Sequence, residues 1–220
     1  MQITLPSGTK AVIEKSVSDR GGTGLVIIPD VMGLRPLFFD MAKHLASEWD
    51  INVCSFELYP GLEHLNVEER LEAASRLEDS RVVGDAIEAA DALQSEKVAI
   101  LGFCMGGMYT LKAVSSQRFS KHCSFYGMIR VPEAWKSEGH SEPISCLQKG
   151  NAESVLAIVG SEDTWTPKED VDLLSSTGVT VVSYEGADHG FVHDSSRPAH
   201  RPLDAADAWM KAKDWVLGDS

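Results

Sequence analysis

Residues 97–109, Lys-Val-Ala-Ile-Leu-Gly-Phe-Cys-Met-Gly-Gly-Met-Tyr, constrain this chain more than any other stretch. Lys97 to Leu101 is short, apolar and partly β-branched, which reads as a buried strand. Gly102, Gly106 and Gly107 flank Cys104, and Met108 to Val114 has apolar residues at helical spacing. Strand, Gly-x-Cys-x-Gly, helix is a nucleophile-elbow pattern with cysteine where serine is commoner. A reactive side chain at the tip of a strained turn needs neighbours without a Cβ, which would otherwise meet the crossing strand and helix. The turn also sets Cys104 at a helix N-terminus, where unpaired N–H groups favour a thiolate and then an oxyanion. A lone cysteine between a strand and a helix more often packs as a small hydrophobe. Packing alone does not require glycine at both −2 and +2, so the nucleophile reading is preferred.

The rest of the chain alternates between apolar runs and helical stripes. Thr9 to Lys15 reads as an edge strand after a Pro6-Ser7-Gly8 turn, and Arg20 to Gly24 as a flexible connection. Leu25 to Ile28 is continuously apolar, as expected of a central strand buried on both faces. It runs into the loop Pro29-Asp30-Val31-Met32-Gly33. A helix is expected over 36–47 and a strand over 51–56. Residues 66–95 are charged and helix-prone, with a break near Ser80 and Gly84. A strand over 122–126 precedes residues 128–150, which read as a loop with short helical turns. A buried strand over 155–159, a helix over 167–175, a strand over 179–184 and an amphipathic helix over 204–216 complete the pattern. With no internal repeat or long linker, residues 1–220 are expected to form one α/β domain with a mostly parallel, doubly wound sheet flanked by helices. Ligands bind at the carboxyl ends of the strands in such sheets. Asp30, Cys104, Asp163 and His189 all fall just after expected strands.

A chain of 220 residues can bury a full core. Its 33 acidic and 20 basic residues give a net charge of −13, which argues against nucleic acid and anionic membrane as partners. No apolar stretch approaches membrane-spanning length, and no secretory signal is expected in the first residues. The four cysteines show neither a C-x-x-C pair nor zinc spacing. Cys54 and Cys123 read as packed thiols, and a reducing, cytoplasmic setting is expected. No metal and no organic cofactor is required, and a monomer or small homo-oligomer is expected.

A cysteine nucleophile needs a base, and the base needs an orienting group. Of the seven histidines, His189 follows a strand directly and lies between Gly186 and Gly190, which leaves its ring free to reach the strand ends. His193 is its rival. For the acid, Asp163 in Gly160-Ser-Glu-Asp-Thr-Trp-Thr-Pro167 follows a buried strand, with Glu162 as the fallback. The chain order Cys104, Asp163, His189 matches the nucleophile, acid, base order of α/β-hydrolases.

Gly-Phe-Cys-Met-Gly-Gly, Gly-Ser-Glu-Asp-x-x-x-Pro and Gly-Ala-Asp-His-Gly-Phe resemble the three signatures of the dienelactone hydrolase (carboxymethylenebutenolidase) family. The loop from Pro29 to Leu34 is similar to that family's loop after an early central strand, and the likeness runs from about residue 9 to 216. The resemblance implies an α/β-hydrolase fold with a triad of Cys104, His189 and Asp163. It also implies an oxyanion hole made by the backbone N–H groups of Met105 and Val31. The family's early loop carries a glutamate bonded to the resting thiol. Asp30 stands there in this chain, either gating the thiol or capping its loop. Arginines clamp the substrate carboxylate in family members that act on dienelactone. One such position is His193 here, and the other corresponds to Arg70 or Arg76, which on their own read as solvated helix residues.

A free thiol has a pKa of about 8.5, so a thiolate leaves a tetrahedral intermediate more easily than an ordinary alkoxide does. Forward reaction is favoured when the leaving group is itself a weak base, such as an enolate, a phenolate or a thiolate. The expected substrate is therefore a small activated ester or enol lactone. Three alternatives stand beside this: a general carboxylesterase or thioesterase, a binding protein that keeps the fold without turnover, and a redox-sensing role for Cys104.

Overall fold

The computed structural model describes residues 1–18 and 22–218. Its strands are β1 (Gln2–Thr4), β2 (Lys10–Glu14), β3 (Thr23–Ile28), β4 (Asn52–Phe56), β5 (Lys97–Phe103), β6 (Lys121–Phe125), β7 (Val155–Gly160) and β8 (Thr180–Tyr184). They form one sheet in the order β1-β2-β4-β3-β5-β6-β7-β8. β2 runs antiparallel to β1 and β4, and every pair from β4 to β8 is parallel. The helices are α1 (Pro36–Glu48), α2 (Val67–Ala73), α3 (Asp79–Ala92), α4 (Met105–Ala113), α5 (Pro143–Leu147), α6 (Lys168–Ser175) and α7 (Pro202–Leu217). This is the mostly parallel, helix-flanked α/β architecture expected from the alternation of elements.

Side-chain period divides the central strands between two cores. Val26, Ile28, Val98 and Ile100 face α3 and α4, packing on Val82, Ala86, Met105 and Met108. Leu25, Ile27, Ala99 and Leu101 face the other way, onto Phe38 and Leu45 of α1 and Ala208 and Ala212 of α7. Each strand is apolar on both faces because each face meets a helix layer, which explains the unbroken apolar runs.

Several boundaries differ from the sequence reading, each for a physical reason. Gln2–Thr4 adds an edge strand that is too short to show a pattern of its own. Of the expected flexible connection, Arg20 and Gly21 lie outside the described residues, and Thr23 and Gly24 begin β3. The break between α2 and α3 spans residues 74–78, with a 3₁₀ turn over Ala74–Arg76, and Gly84 lies inside α3. A Cβ at Gly84 would meet nothing within 4 Å, so the helix simply tolerates that glycine.

β5 runs on to Phe103 and α4 starts at Met105, so Gly106 and Gly107 are helical. Close packing overrides their poor helix propensity. A Cβ on Gly106 would sit 2.2 Å from the Ile28 carbonyl oxygen and 2.3 Å from that of Pro29. A Cβ on Gly102 would sit 2.2 Å from the Gly106 oxygen, and one on Gly107 would sit 2.8 Å from Gly127 Cα. The glycines thus let α4, β3 and the end of β6 approach backbone to backbone.

Gly106→Ala should therefore lower the unfolding free energy by about 3 kcal/mol through overpacking. Gly84→Ala should raise it by about 0.5–1 kcal/mol. Urea denaturation checks both, and similar effects at the two sites would contradict the packing argument.

Candidate active site

Cys104 sits between β5 and α4 with φ 56° and ψ −118°, a backbone conformation that L side chains rarely adopt. Its N–H donates to the Phe125 carbonyl at 3.0 Å, and its carbonyl accepts from Met108 N at 3.0 Å. The bend leaves Cys104 half-buried, while Cys54 and Cys123 are fully buried in the sheet. Burial pushes the Cys54 thiol up to about 12 and the Cys123 thiol higher still, so neither ionises readily. Cys146 is also buried, and burial raises its pKa as well. Met105, as the first residue of α4, presents an N–H with no intrahelical acceptor.

Asp163 lies in the turn after β7, with its N–H on the Gly160 carbonyl and its own carbonyl accepting from Thr166 N. The carboxylate is 3% exposed. Oδ1 accepts from Trp165 N at 2.8 Å, and Oδ2 lies 2.8 Å from His189 Nδ1. His189 comes from the loop after β8, where Gly186 (φ 70°) and Gly190 (φ 80°) supply the sharp bends. The two loops pack tightly: a Cβ on Gly160 would sit 2.3 Å from the Ala187 oxygen. Beside a carboxylate, Nδ1 carries a proton, so Nε2 is the nitrogen through which the ring takes up or gives a proton on the other side. Nε2 is buried and has no hydrogen-bond partner among the described residues. Burial works against the imidazolium, but Asp163 and then Cys104 outweigh it, raising the His189 pKa to about 10. The Glu162 side chain is exposed, and its backbone N–H goes to Ala187 O.

Asp30 and His193 meet each other. Asp30 Oδ2 lies 2.8 Å from His193 Nε2, and both carboxylate oxygens accept from Arg35, at 2.6 and 2.9 Å. Met32 N also donates to Asp30 Oδ1 at 3.0 Å, and Gly33 N donates to the Asp30 carbonyl at 2.9 Å. Burial would raise the Asp30 pKa, but bonds from His193 and Arg35 hold the carboxyl far below the usual range. Among the described residues, no hydrogen bond joins Asp30 to Cys104. Val31 is half-buried within this turn, which follows directly on the Ile28 and Pro29 carbonyls that Gly106 of α4 approaches.

Arg70 is 4% exposed, which overturns its reading as a solvated helix residue. Its guanidinium pairs with Glu57 at 3.2 Å and donates to the carbonyls of Leu65 and Glu63. Glu57 in turn accepts from Leu34 N and Tyr59 N, so the pair holds the loops after β3 and β4 together. Arg76 is exposed, as a solvated helix residue should be.

Sequence reasoning missed Arg35, Tyr126 and Trp165. Arg35 stands just before the Pro36 helix start, and Tyr126 follows the last residue of β6 at the carboxyl edge of the sheet. That edge is the signal that could have flagged them. Tyr126 has φ 40° and lies edge-on to His189, with ring centres 5.2 Å apart. Trp165 stacks on buried Trp135 at 5.7 Å and lies 6.3 Å from the His189 ring. With Thr164, Asp188, His189, Arg197 and Arg201 it borders an open cleft of about 660 Å³. Among the described residues, no group of His, Cys, Asp or Glu is placed to hold a metal ion. No described helix is long and apolar enough to cross a membrane.

Residues 10–218 match the family model described as "Dienelactone hydrolase family". A Synechocystis sp. protein named "Putative carboxymethylenebutenolidase" is 26% identical over 209 residues, covering 86% of this chain and 83% of that protein. A Bradyrhizobium sp. protein named "Probable 2-oxo-3-(5-oxofuran-2-ylidene)propanoate lactonase" is 27% identical over 203 residues, covering 84% and 79%. The fold matches a crystal structure titled "Putative Dienelactone Hydrolase" from Klebsiella pneumoniae with a TM-score of 0.87 at 21% identity, covering 100% of this chain and 98% of that one.

The raised His189 pKa fixes a pH dependence. The folded protein holds this proton more tightly than the unfolded chain, where histidine titrates near its ordinary value of about 6.5. The resulting stabilisation is full below about 6.5 and is lost as pH rises through about 10. Asp163→Asn should therefore cost more stability near pH ~6 than near pH ~10.5 in urea titrations. An equal loss at both pH values would contradict the assignment.

Proposed function

Since this chain belongs to the dienelactone hydrolase family, we propose that it hydrolyses an activated ester or enol lactone through an acyl-cysteine on Cys104, with His189 and Asp163 as base and orienting acid. The observation that carries the reading is the His189 ring, fixed by Asp163 at 2.8 Å on one nitrogen, with no hydrogen-bond partner among the described residues on the other, and near enough to the strained, half-buried Cys104 for its thiolate to raise the His189 pKa. The Cys104 thiolate attacks the substrate carbonyl, and the new oxyanion is received by the Met105 and Val31 N–H groups. Each such donor contributes about 10²–10³-fold when it is fixed in advance. The intermediate collapses, and the leaving oxygen departs with the proton held by His189. Water then attacks the thioester while His189 takes its proton, and the thiolate is expelled as the acid product forms.

In this scheme Asp30 and Arg70 act on loops rather than on substrate, since their charges are already committed to Arg35, His193 and Glu57. That observation favours a second reading, a carboxylesterase or thioesterase of broader range. Neither His193 nor Arg70, two of the three positions where the resemblance looks for an arginine, offers a free guanidinium to a substrate carboxylate, which leaves exposed Arg76. All four cysteines are free thiols, which supports placing the enzyme in a reducing cytoplasm.

Cys104→Ala should reduce turnover of p-nitrophenyl acetate and of a small enol lactone by about 10³-fold or more. Retained turnover in that variant would sink the proposal. The ratio of lactone to aryl-ester kcat/KM in the wild type separates the two readings, with a ratio near or below one favouring the broader esterase.

A further inference from the structure

The His193 imidazole is buried, yet it touches the loop after β3, the end of β5 and the residue that follows β6. Nε2 lies 2.8 Å from Asp30 in the turn that carries Val31. Nδ1 lies 2.5 Å from the hydroxyl of Tyr126, whose ring packs against His189. One ring face stacks on Phe103, the residue before the nucleophile, with centres 4.7 Å apart. Phe38 of α1 lies 6.1 Å away, nearly parallel. Arg35 closes the network by gripping both oxygens of Asp30.

The protons in this chain have fixed places. Asp30 stays ionised and can only accept, so His193 Nε2 carries a hydrogen. Burial disfavours a charged His193, so the ring is neutral and Nδ1 is an acceptor. Burial likewise keeps the Tyr126 phenol protonated, and its O–H donates to Nδ1. The direction Tyr126 to His193 to Asp30 is thus the only one that satisfies all three groups, and it leaves the ring no rotational freedom.

We propose that His193 is a positioning residue that holds the Asp30–Gly33 turn, and with it the Val31 N–H, against the Cys104 elbow so that the oxyanion donor is already in place when substrate arrives. The inference rests on the acyl-cysteine reading above. His193 touches neither substrate nor reacting atoms. It acts through Asp30, whose carboxylate also ties down the Met32 N–H on the far side of Val31.

The test compares His193→Phe, which keeps the ring stack and loses both hydrogen bonds, with His193→Gln, whose amide nitrogen can restore the bond to Asp30. Circular dichroism melts establish that each variant folds. His193→Phe should lower kcat on an aryl ester by about 100-fold while KM moves by less than about 3-fold, as expected for one misplaced oxyanion donor. Inhibition by a trifluoromethyl ketone, which forms an oxyanion adduct on the cysteine, should weaken by a similar factor. Alkylation of Cys104 by iodoacetamide, which forms no oxyanion, should proceed at the wild-type rate. His193→Gln should recover most of kcat. Where His193→Phe does not fold, Tyr126→Phe carries the test with a smaller fall in kcat and the same unchanged alkylation.

Wild-type turnover in His193→Phe beside an inactive Cys104→Ala would overturn the proposal and leave the cysteine mechanism standing. A parallel fall in alkylation would also overturn it, because His193 would then act on the thiol or its base. A Gln variant as slow as the Phe variant would overturn it too. Full activity in Cys104→Ala would instead remove the mechanism on which the proposal rests.

Discussion

The turn at Cys104 is the constraint on which the rest of the structure depends. A non-glycine residue held at positive φ stores strain of about 1–3 kcal/mol, and the surroundings must over-determine it. Here they do so through backbone contact. Gly106 lets the first turn of α4 rest on the carbonyls of Ile28 and Pro29, and Gly107 lets it rest on Phe125 and Gly127. The Cys104 N–H is tied to Phe125 by a hydrogen bond. One bend therefore fixes the ends of β3, β5 and β6 relative to one another. Those ends carry Asp30, Cys104 and Tyr126.

Around this bend, buried charge does the work of registration. Asp30 with Arg35 and His193 joins the loop after β3 to the loop after β8. Glu57 with Arg70 joins the loops after β3 and β4, and Gly33 between them has φ 67°, a conformation that favours glycine. Buried ion pairs are weak sources of net stability, but breaking one leaves an uncompensated charge, so they strongly disfavour alternative loop positions. Both carboxylates also accept backbone N–H groups, which ties the charge directly to chain path. These clusters set geometry, and in the proposed mechanism the chemistry falls to the neighbouring cysteine and histidine.

What could be read from the sequence was whatever depends on local spacing. The glycines around Cys104, the order of Cys104, Asp163 and His189, and the apolar runs of the central strands all lie within short windows. The roles of Arg70 and His193 were not legible in the same way. Arg70 sits on a charged, helix-prone segment where arginine is ordinarily solvated, but Glu57 and the carbonyls of Glu63 and Leu65 hold it buried. His193 stood as a rival base because sequence does not show that its two nitrogens are already taken by Asp30 and Tyr126. The glycines after Cys104 have the spacing of a turn, yet Gly106 and Gly107 lie inside α4, because close backbone packing outweighs helix propensity. For His193 and the glycines of α4 the deciding partner comes from a distant part of the chain, and for Arg70 from the loop that precedes its helix.

The central claim is that an acyl group passes through the sulfur of Cys104, and its most direct test is to trap that species. We would acid-quench the His189→Ala variant during reaction with p-nitrophenyl acetate and map the modified peptide by mass spectrometry. One acetyl group is expected on the peptide containing Cys104, accumulating because the base that activates water for deacylation is missing. Turnover in the wild type with no acyl group on Cys104 in either protein, or an acetyl group on some other side chain that turns over as product forms, would contradict it.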